Sequence, residues 1–257
     1  MTPASHRAVF RELLRREFSE RYQGSVLGVA WHFILPLVQL AVLSWVFGEL
    51  LRARSSSPGL PYPAFLALGL WTWGLLANAI GRGLGSLTEN GALIGKVAVP
   101  QDIFIDTRVA ASAMIDLAAF GLVLAALAVF GHWPALAGVP VMLAGLLVMG
   151  LFGYALARML AVLQVFLRDI GAAIGHLLTL WFFLTPVMYT REQLPDYVAR
   201  WLGWNPAAAP VEAVRAGFSG LPVDWLALGA SAAMAVALLL ASRWLFTRAR
   251  PHLEDFL

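Results

Sequence analysis

The chain has 257 residues, of which 60% are hydrophobic and only 13% are charged, and its formal net charge is +3. A soluble domain carries about a quarter charged residues, so this composition excludes an ordinary soluble enzyme and indicates an integral membrane protein. The sequence contains no cysteine, which excludes disulfides and thiolate metal sites. Apolar stretches of span length recur without the alternation of a membrane barrel, so the predicted fold is all-α.

The first 24 residues predict an amphipathic helix on the cytoplasmic membrane surface. Within residues 6–23, Phe10, Leu14 and Phe18 lie four residues apart, while Arg11 and Arg15 fall on the opposite face. Such a helix is either a membrane-surface anchor or a docking surface for a soluble partner, and both interpretations stay open at this point. The glycines at 24 and 28 predict a flexible joint between this helix and the first span.

Six membrane-spanning helices follow within a predicted transmembrane domain of residues 25–247. A polar, glycine-rich stretch at 81–104 predicts an ordered loop with a short helix, and residues 248–257 predict a short tail. A long segment at 190–222 separates the fifth span from the sixth. The predicted spans cover about 26–50, 63–80, 105–130, 139–163, 171–189 and 225–246.

The charge distribution predicts the orientation of these spans. Six spans place both termini on one side, and the segments on that side hold most of the 18 Lys and Arg residues. The positive-inside rule therefore predicts that both termini are cytoplasmic. Because cytoplasmic loops account for the basic residues, we expect no nucleic-acid partner.

The sequence predicts that this chain does not bind ATP and is not an enzyme. GALIGKV at 91–97 resembles a phosphate loop, but only three residues separate its glycines and Val97 follows the lysine. The motif requires four residues and then a Ser or Thr for Mg²⁺. No catalytic motif is present either, so we expect no cofactor, and any energy must come from another chain.

Few ionisable residues fall within the predicted spans, and each is a functional candidate because burying a charge in lipid is costly. For Asp116 and Arg158 we favour an ion pair that fixes neighbouring helices over a proton or ion relay. His176 is predicted to be an interior histidine, since no second histidine or carboxylate stands three or four residues away. We therefore expect no metal site.

Four motifs in chain order resemble the permease subunits of ABC-type polysaccharide exporters, the ABC-2 type family that moves O-antigen, capsular and teichoic-acid glycans. RYxxSxLGxxWxxxxP begins at residue 21, and NGALIGKVAVPQD covers 90–102. FLRDI covers 166–170, and FLTPVMYTREQLP at 183–195 is followed by NPAAAPVEAVRAGF at 205–218. The resemblance covers nearly the whole chain.

This resemblance implies a homodimer in the bacterial inner membrane that works with two separate ATPase subunits, which hold the ATP and Mg²⁺. The implied cargo is a lipid-linked glycan, and envelope-spanning export proteins are further candidate partners. It also implies short re-entrant helices in the outer segment between spans five and six. ATPase movement would reach the spans through residues Arg11, Arg15, Glu89, Asn90, Leu93, Lys96, Arg168 and Asp169.

Aromatic residues inside the spans are candidates for a glycan pathway, because flat rings bind the apolar faces of sugars. The alternative for these rings is the interfacial aromatic belt of membrane proteins, and the two interpretations stay open. The predicted outer gate consists of Pro186, Trp201, Asn205 and Arg215. The predicted pathway residues are Tyr22, Trp31, Trp71, Trp73, Asn78, Arg82, Trp181, Phe183 and Tyr189.

Two other functions compete with glycan export. An ABC-2 exporter of the same architecture that carries a drug or a lipid is the nearer one. A membrane-embedded transferase acting on polyprenyl-linked sugars is the other, but it needs clustered carboxylates near one surface. The acidic residues Glu89, Asp102, Asp106 and Asp169 are spaced without such a pattern.

Overall fold

The computed structural model of the chain describes residues 3–20, 28–46, 60–94 and 99–256, and all regular structure within them is helical. Gly24 of the predicted joint lies outside the described residues, as do Tyr22 and Lys96, whereas Gly28 is described and has a positive φ of 45°. In chain order the helices are α1 (Pro3–Glu20), α2 (Trp31–Ser44), α3 (Tyr62–Leu84), α4 (Gly91–Ile94), α5 (Asp102–Val129), α6 (Val139–Phe166), α7 (Asp169–Leu184), α8 (Asp196–Leu202), α9 (Ala208–Ser219) and α10 (Trp225–Phe256).

Four of the predicted spans are helices long and apolar enough to cross a membrane: Tyr62–Leu84, Asp102–Val129, Leu136–Phe166 and Trp225–Leu253. The other two are shorter in the described residues. Helix α7 has 16 residues, which corresponds to about 24 Å of helix, and α2 has 14. The predicted fifth span continued to residue 189, but the helix ends at Leu184 because the chain turns there toward Pro186.

The last helix is longer than the sequence predicts. It passes through Pro251 and ends at Phe256, so residues 248–256, predicted as a separate tail, are helical. Burial explains the extension, since Phe246, Ala249 and Leu253 lie on one face of α10 and are buried in the same apolar cluster.

Helix α1 packs part of its apolar face against the bundle. Val9, Phe10 and Leu13 contact the apolar cluster that contains Leu253. We call the end of the bundle where α1 and α4 lie the α1 end, and the opposite end, with α8 and α9, the α9 end. The apolar face of α1, which predicted a helix on the membrane surface, therefore packs in part against the rest of the protein.

The central layer is formed by α3 and α6, with α5, α9 and α10 packed around them. Helices approach closely where small residues face each other, as is common for helices in membranes. A Cβ atom added to Gly83 of α3 would lie 2.7 Å from the Cβ of Ala157 in α6. A Cβ on Gly145 of α6 would lie 2.8 Å from the carbonyl oxygen of Pro210 in α9.

We expect Gly83→Ala to lower the free energy of unfolding by about 1 to 3 kcal/mol, because the added methyl group overpacks the contact between α3 and α6. Gly81→Ala on the same helix is the matched control. Among the described residues, no atom beyond its own stretch of helix lies within 4 Å of a Cβ added there. Thermal unfolding of the purified variants in detergent tests this expectation. Equal melting temperatures for the two variants would contradict the close packing of α3 on α6.

Candidate functional site

A cavity of about 510 Å³ opens between α2, α3, α5 and α7. Its lining includes Trp31, Trp71, Trp73 and Phe182, so aromatic rings from three helices face one space. Its polar lining residues are Gln39, Asn78, Asp116 and Thr179. Four predicted pathway residues, namely the three tryptophans and Asn78, therefore lie together in this cavity.

Two of the polar lining residues, Asn78 and Asp116, form a hydrogen-bonded pair between α3 and α5. Asn78 Nδ2 donates to Asp116 Oδ1 at 2.8 Å, and Ser112 Oγ donates to Asp116 Oδ2 at 3.3 Å. A carboxylate in a span is costly unless it is hydrogen-bonded, and these two donors meet that requirement. The site therefore combines aromatic faces with hydrogen-bonding groups, which is the chemistry that binds a molecule bearing both apolar faces and hydroxyl groups.

The predicted ion pair between Asp116 and Arg158 is wrong. Arg158 Nη2 lies 3.1 Å from Asp102 Oδ2, and Nη1 lies 3.3 Å from Asp106 Oδ1. Asp102 and Asp106 are one helical turn apart at the start of α5, whereas Asp116 lies about 15 Å further along the same helix. Tyr154 Oη also donates to Asp106 at 2.6 Å, so both carboxylates at the start of α5 are satisfied by α6.

The other predicted pathway residues have different surroundings. Trp181 packs edge-on against Trp73 and Phe152, with ring centroids 5.6 and 5.9 Å apart, so its ring supports the cavity wall. Phe183 is exposed on α7, and Tyr189 Oη donates to the Phe183 carbonyl oxygen at 3.0 Å. Arg82 lies at the α1 end, where its Nη2 is 3.6 Å from Glu17 Oε2.

Arg215 of α9 organises the predicted outer gate. Its guanidinium group is buried and donates to three backbone carbonyls, those of Phe65, Pro186 and Val187, at 3.1, 2.6 and 2.5 Å. It also lies over the Phe65 ring, with Cζ 3.5 Å from the centroid. An added Cβ on Gly69 would collide with this guanidinium, so that position of α3 has to be small.

Asn205 is the second centre of the predicted gate. Its side-chain oxygen accepts from Trp181 Nε1 and from the Ala207 backbone N–H, both at 3.0 Å. Its Nδ2 donates to the Leu184 carbonyl and to Thr185 Oγ1, also at 3.0 Å. The structure therefore brings three predicted gate residues together. Asn205 and Arg215 both bind the stretch where α7 ends, which contains Pro186. Trp201, the fourth predicted gate residue, is 75% exposed on α8.

A smaller cavity of about 210 Å³ lies beside Arg215 and is lined in part by Arg191, Glu192 and Glu212. Burial raises the pKa of the Glu212 carboxyl above its usual range, and the guanidinium groups of Arg191 and Arg215 oppose that rise. The α9 end thus carries charged groups of both signs around the segment that follows α7.

Seven of the residues predicted to contact an ATPase are described, and these lie at the α1 end but differ in exposure. Arg11, Arg15, Arg168 and Asp169 are exposed, so all four are available to a partner. Asn90 Nδ2 donates to the Ser86 carbonyl oxygen at 2.9 Å. Leu93 packs against the apolar cluster under α1.

Glu89 belongs to an ion-pair network that the sequence did not predict. Its Oε2 lies 2.6 Å from Arg108 Nη1, and Arg108 Nε donates to Glu17 Oε1 at 2.8 Å. Arg108 and Glu17 are the residues that were missed. The signal was present, because a charged residue placed inside the predicted third span has to find a partner.

His176 is exposed on α7 rather than interior as predicted. Within the described ranges, no group of three or more His, Cys, Asp or Glu residues is arranged to hold a metal ion.

Comparison with known proteins gives a consistent result. Residues 8–219 match the family model described as ABC-2 type transporter. The chain is 31% identical to the O-antigen export system permease protein RfbA of Myxococcus xanthus, over 97% of this chain and 95% of that protein. It is 26% identical to the capsule polysaccharide export inner-membrane protein CtrC of Neisseria meningitidis serogroup B, over 86% and 82% of the two chains. It is 21% identical to the polysialic acid transport protein KpsM of Escherichia coli, over 84% and 85%.

Arg215→Met should lower the free energy of unfolding by about 2 kcal/mol or more, because a buried carbonyl left without a donor costs about 1 to 3 kcal/mol. The carbonyls of Pro186 and Val187 lose their donor, whereas that of Phe65 keeps its hydrogen bond within α3. Arg200→Met on the neighbouring α8 is the matched control, since Arg200 is exposed. Thermal unfolding of both proteins in detergent is the measurement. A melting temperature for Arg215→Met equal to that of Arg200→Met would show that Arg215 does not hold the residues after α7.

Proposed function

The chain belongs to the ABC-2 type transporter family, and from this premise we propose that it is the permease subunit of an exporter that moves a polysaccharide across the bacterial inner membrane. The observation that carries this proposal is the 31% identity to an O-antigen export permease along nearly the whole of both chains. The names of CtrC and KpsM favour a polysaccharide over a drug or a lipid as cargo. An O-antigen type glycan on a lipid carrier is the cargo that we propose.

The energy for transport comes, in this proposal, from a separate ATPase subunit that holds ATP and Mg²⁺. The sequence supports this division, because its one phosphate-loop-like stretch, at 91–97, lacks the required spacing and hydroxyl residue. The α1 end supports it too, since exposed Arg11 and Arg15 on α1 and exposed Arg168 and Asp169 at the turn into α7 offer a polar docking surface.

We further propose six spans with both termini in the cytoplasm, in which α2 and α7 complete the set. Both helices are apolar and line the same cavity as α3 and α5. The α1 end then faces the cytoplasm and the α9 end faces the exterior, where α8 and α9 would dip into the outer leaflet as re-entrant helices.

The working unit in this proposal is a homodimer. None of the residues of α7 is buried, and its exposed large apolar side chains include Leu177, Leu180, Phe183 and Leu184. Helix α2 exposes Leu35, Val38 and Val42 in the same way. A second copy packed on these two helices would place the aromatic cavity next to the dimer interface, where a pathway for the glycan can form.

The cavity offers the chemistry that a sugar chain needs. Indole rings stack on the apolar faces of pyranose rings, while Asn78 and Asp116 can exchange hydrogen bonds with hydroxyl groups. Many weak contacts of this kind hold a moving polymer without trapping it.

The topology is tested by cysteine labelling, which is convenient because the chain has no cysteine of its own. We expect a membrane-impermeant thiol reagent to modify Ser56→Cys in intact spheroplasts and Ala92→Cys only after the membrane is opened. Ala92 is suitable because its side chain is exposed at the start of α4. The opposite labelling pattern would refute the proposed orientation.

The function is tested by reconstituting the chain with its ATPase subunit in liposomes and measuring ATP-dependent movement of the lipid-linked glycan purified from the source strain. We expect transport with the wild-type chain and a severalfold slower rate with Trp31→Ala, which removes a ring from the cavity. Trp45→Ala is the matched control, because Trp45 is also exposed near the end of α2 but does not line the cavity. Absence of ATP-dependent transport by the wild-type complex would overturn the proposed function, and equal rates for the two variants would remove the cavity from the pathway.

A further inference from the structure

Arg108 joins three separate parts of the chain at the α1 end. It lies in the second turn of α5, with only 13% of its side chain exposed. Its Nε contacts Glu17 of α1 at 2.8 Å, and its Nη1 contacts Glu89, in the turn between α3 and α4, at 2.6 Å. A single guanidinium therefore links α5 to α1 and to the α3–α4 turn.

The geometry of this network suits a rigid connection. Arginine presents its donors in a planar fork, so two carboxylates bound to different edges of the fork have their relative positions fixed. The side chain of Glu17 is only 14% exposed, so water screens its pair with Arg108 weakly. Arg82 of α3 lies 3.6 Å from the other oxygen of Glu17, which adds a fourth element to the same network.

The network connects α3 and α5, the two helices that contribute Asn78 and Asp116 to the cavity. Arg82 and Asn78 are one turn apart on α3, and Arg108 and Asp116 are about 12 Å apart on α5. The same helix pair is thus connected twice, once through Glu17 at the α1 end and once through the Asn78 to Asp116 hydrogen bond in the cavity. A displacement that changes the first connection shifts the helices that make the second.

We propose that Arg108 is a positioning residue for energy coupling: by holding Glu17 and Glu89 together it makes α1, the α3–α4 turn and the start of α5 move as one unit, so that a push from the ATPase reaches the cavity. This inference rests on the proposed function. It assigns Glu89 a second role within the permease, because one oxygen of its exposed carboxylate is bound to Arg108.

The interactions of Arg158 extend this unit into the rest of the bundle. Its guanidinium contacts Asp102 and Asp106 of α5 and lies over the Phe246 ring of α10, with Cζ 4.9 Å from the centroid. Arg158 itself belongs to α6. Movement of the start of α5 is therefore transmitted to α6 and α10 as well, while α2 and α7 have fewer contacts with this end.

The test compares three variants in complex with the ATPase, reconstituted in liposomes with the lipid-linked glycan of the source strain. Glu17→Arg places a cation against Arg108 and Arg82. Glu12→Arg is the matched control, with the same change of charge on the exposed face of α1. The third variant, E17R/E89R/R108E, reverses the charges of the two shorter pairs and so restores both ion pairs at position 108, while the longer pair between position 17 and Arg82 stays broken. ATP hydrolysis, glycan transport and co-purification of the ATPase are measured for each.

We expect Glu17→Arg to lower the number of glycans moved per ATP hydrolysed by roughly tenfold, within the range of ordinary allosteric coupling. The ATPase should still co-purify, Glu12→Arg should behave as wild type, and the reversed triple variant should recover most of the transport. If Glu17 and Glu89 contacted the ATPase directly, reversing all three charges would not restore transport.

Two results would overturn the inference while leaving the proposed function intact: equal coupling in Glu17→Arg and Glu12→Arg, or no recovery in the triple variant although it inserts and binds the ATPase. Loss of glycan transport by the wild-type complex under the same conditions would instead be a failure of the proposed function. The two failures are therefore distinguishable in one set of reconstitutions.

Discussion

A guanidinium group inside an apolar helical bundle has to find acceptors, because an unpaired charge there is very costly. Three arginines meet this requirement with different partners, and each fixes a different part of the chain. Arg108 holds α1 and the α3–α4 turn to α5, and Arg158 holds α5 to α6. Arg215 uses three backbone carbonyls to hold α9 against α3 and the residues after α7. The positions of the helices at both ends of the bundle follow from these contacts.

The bundle divides into a tightly packed part and a loosely packed part. Helices α3, α6 and α9 approach through glycines such as Gly83 and Gly145, which leave no room for a side chain. Helix α7 buries none of its residues, and α2 exposes large apolar side chains such as Val38. Less burial therefore holds α2 and α7 than holds the glycine-packed centre. The cavity lies between these two parts, which is where a pathway that opens and closes would be expected.

Much of the architecture is predictable from residue pattern. Hydropathy places α3, α5 and α6 within a few residues of their observed bounds and gives the start of α10, and the helix predicted at the N-terminal end is observed as α1. Pro186, Asn205 and Arg215 were grouped by resemblance to a family, and the structure brings them to one place. Trp31, Trp71 and Trp73 likewise share one cavity.

The errors concern side-chain partners, which depend on distances across helices that the sequence does not contain. Asp116 was paired with Arg158 because both are ionisable and lie within spans. Along the axis of α5, however, Asp102 and Asp106 are the carboxylates that lie level with Arg158. Trp181 stays a predicted pathway residue, but its packing against Trp73 and its hydrogen bond to Asn205 were not predicted. Helix α10 continues through Pro251 because Leu253 beyond it is buried, and no local sequence pattern predicts that burial.

The proposed energy coupling depends on a rigid connection between α1 and the start of α5 through Arg108. It is tested most directly by pulsed electron paramagnetic resonance on complexes in which one copy of the chain carries two spin labels, one on exposed Glu12 of α1 and one on exposed Leu117 of α5. The distance between these labels should be the same with and without ATP, while the distance between a pair of labels on α2 and α5 across the cavity should change. A change in the distance between the labels on α1 and α5 on ATP binding would contradict the rigid connection through Arg108.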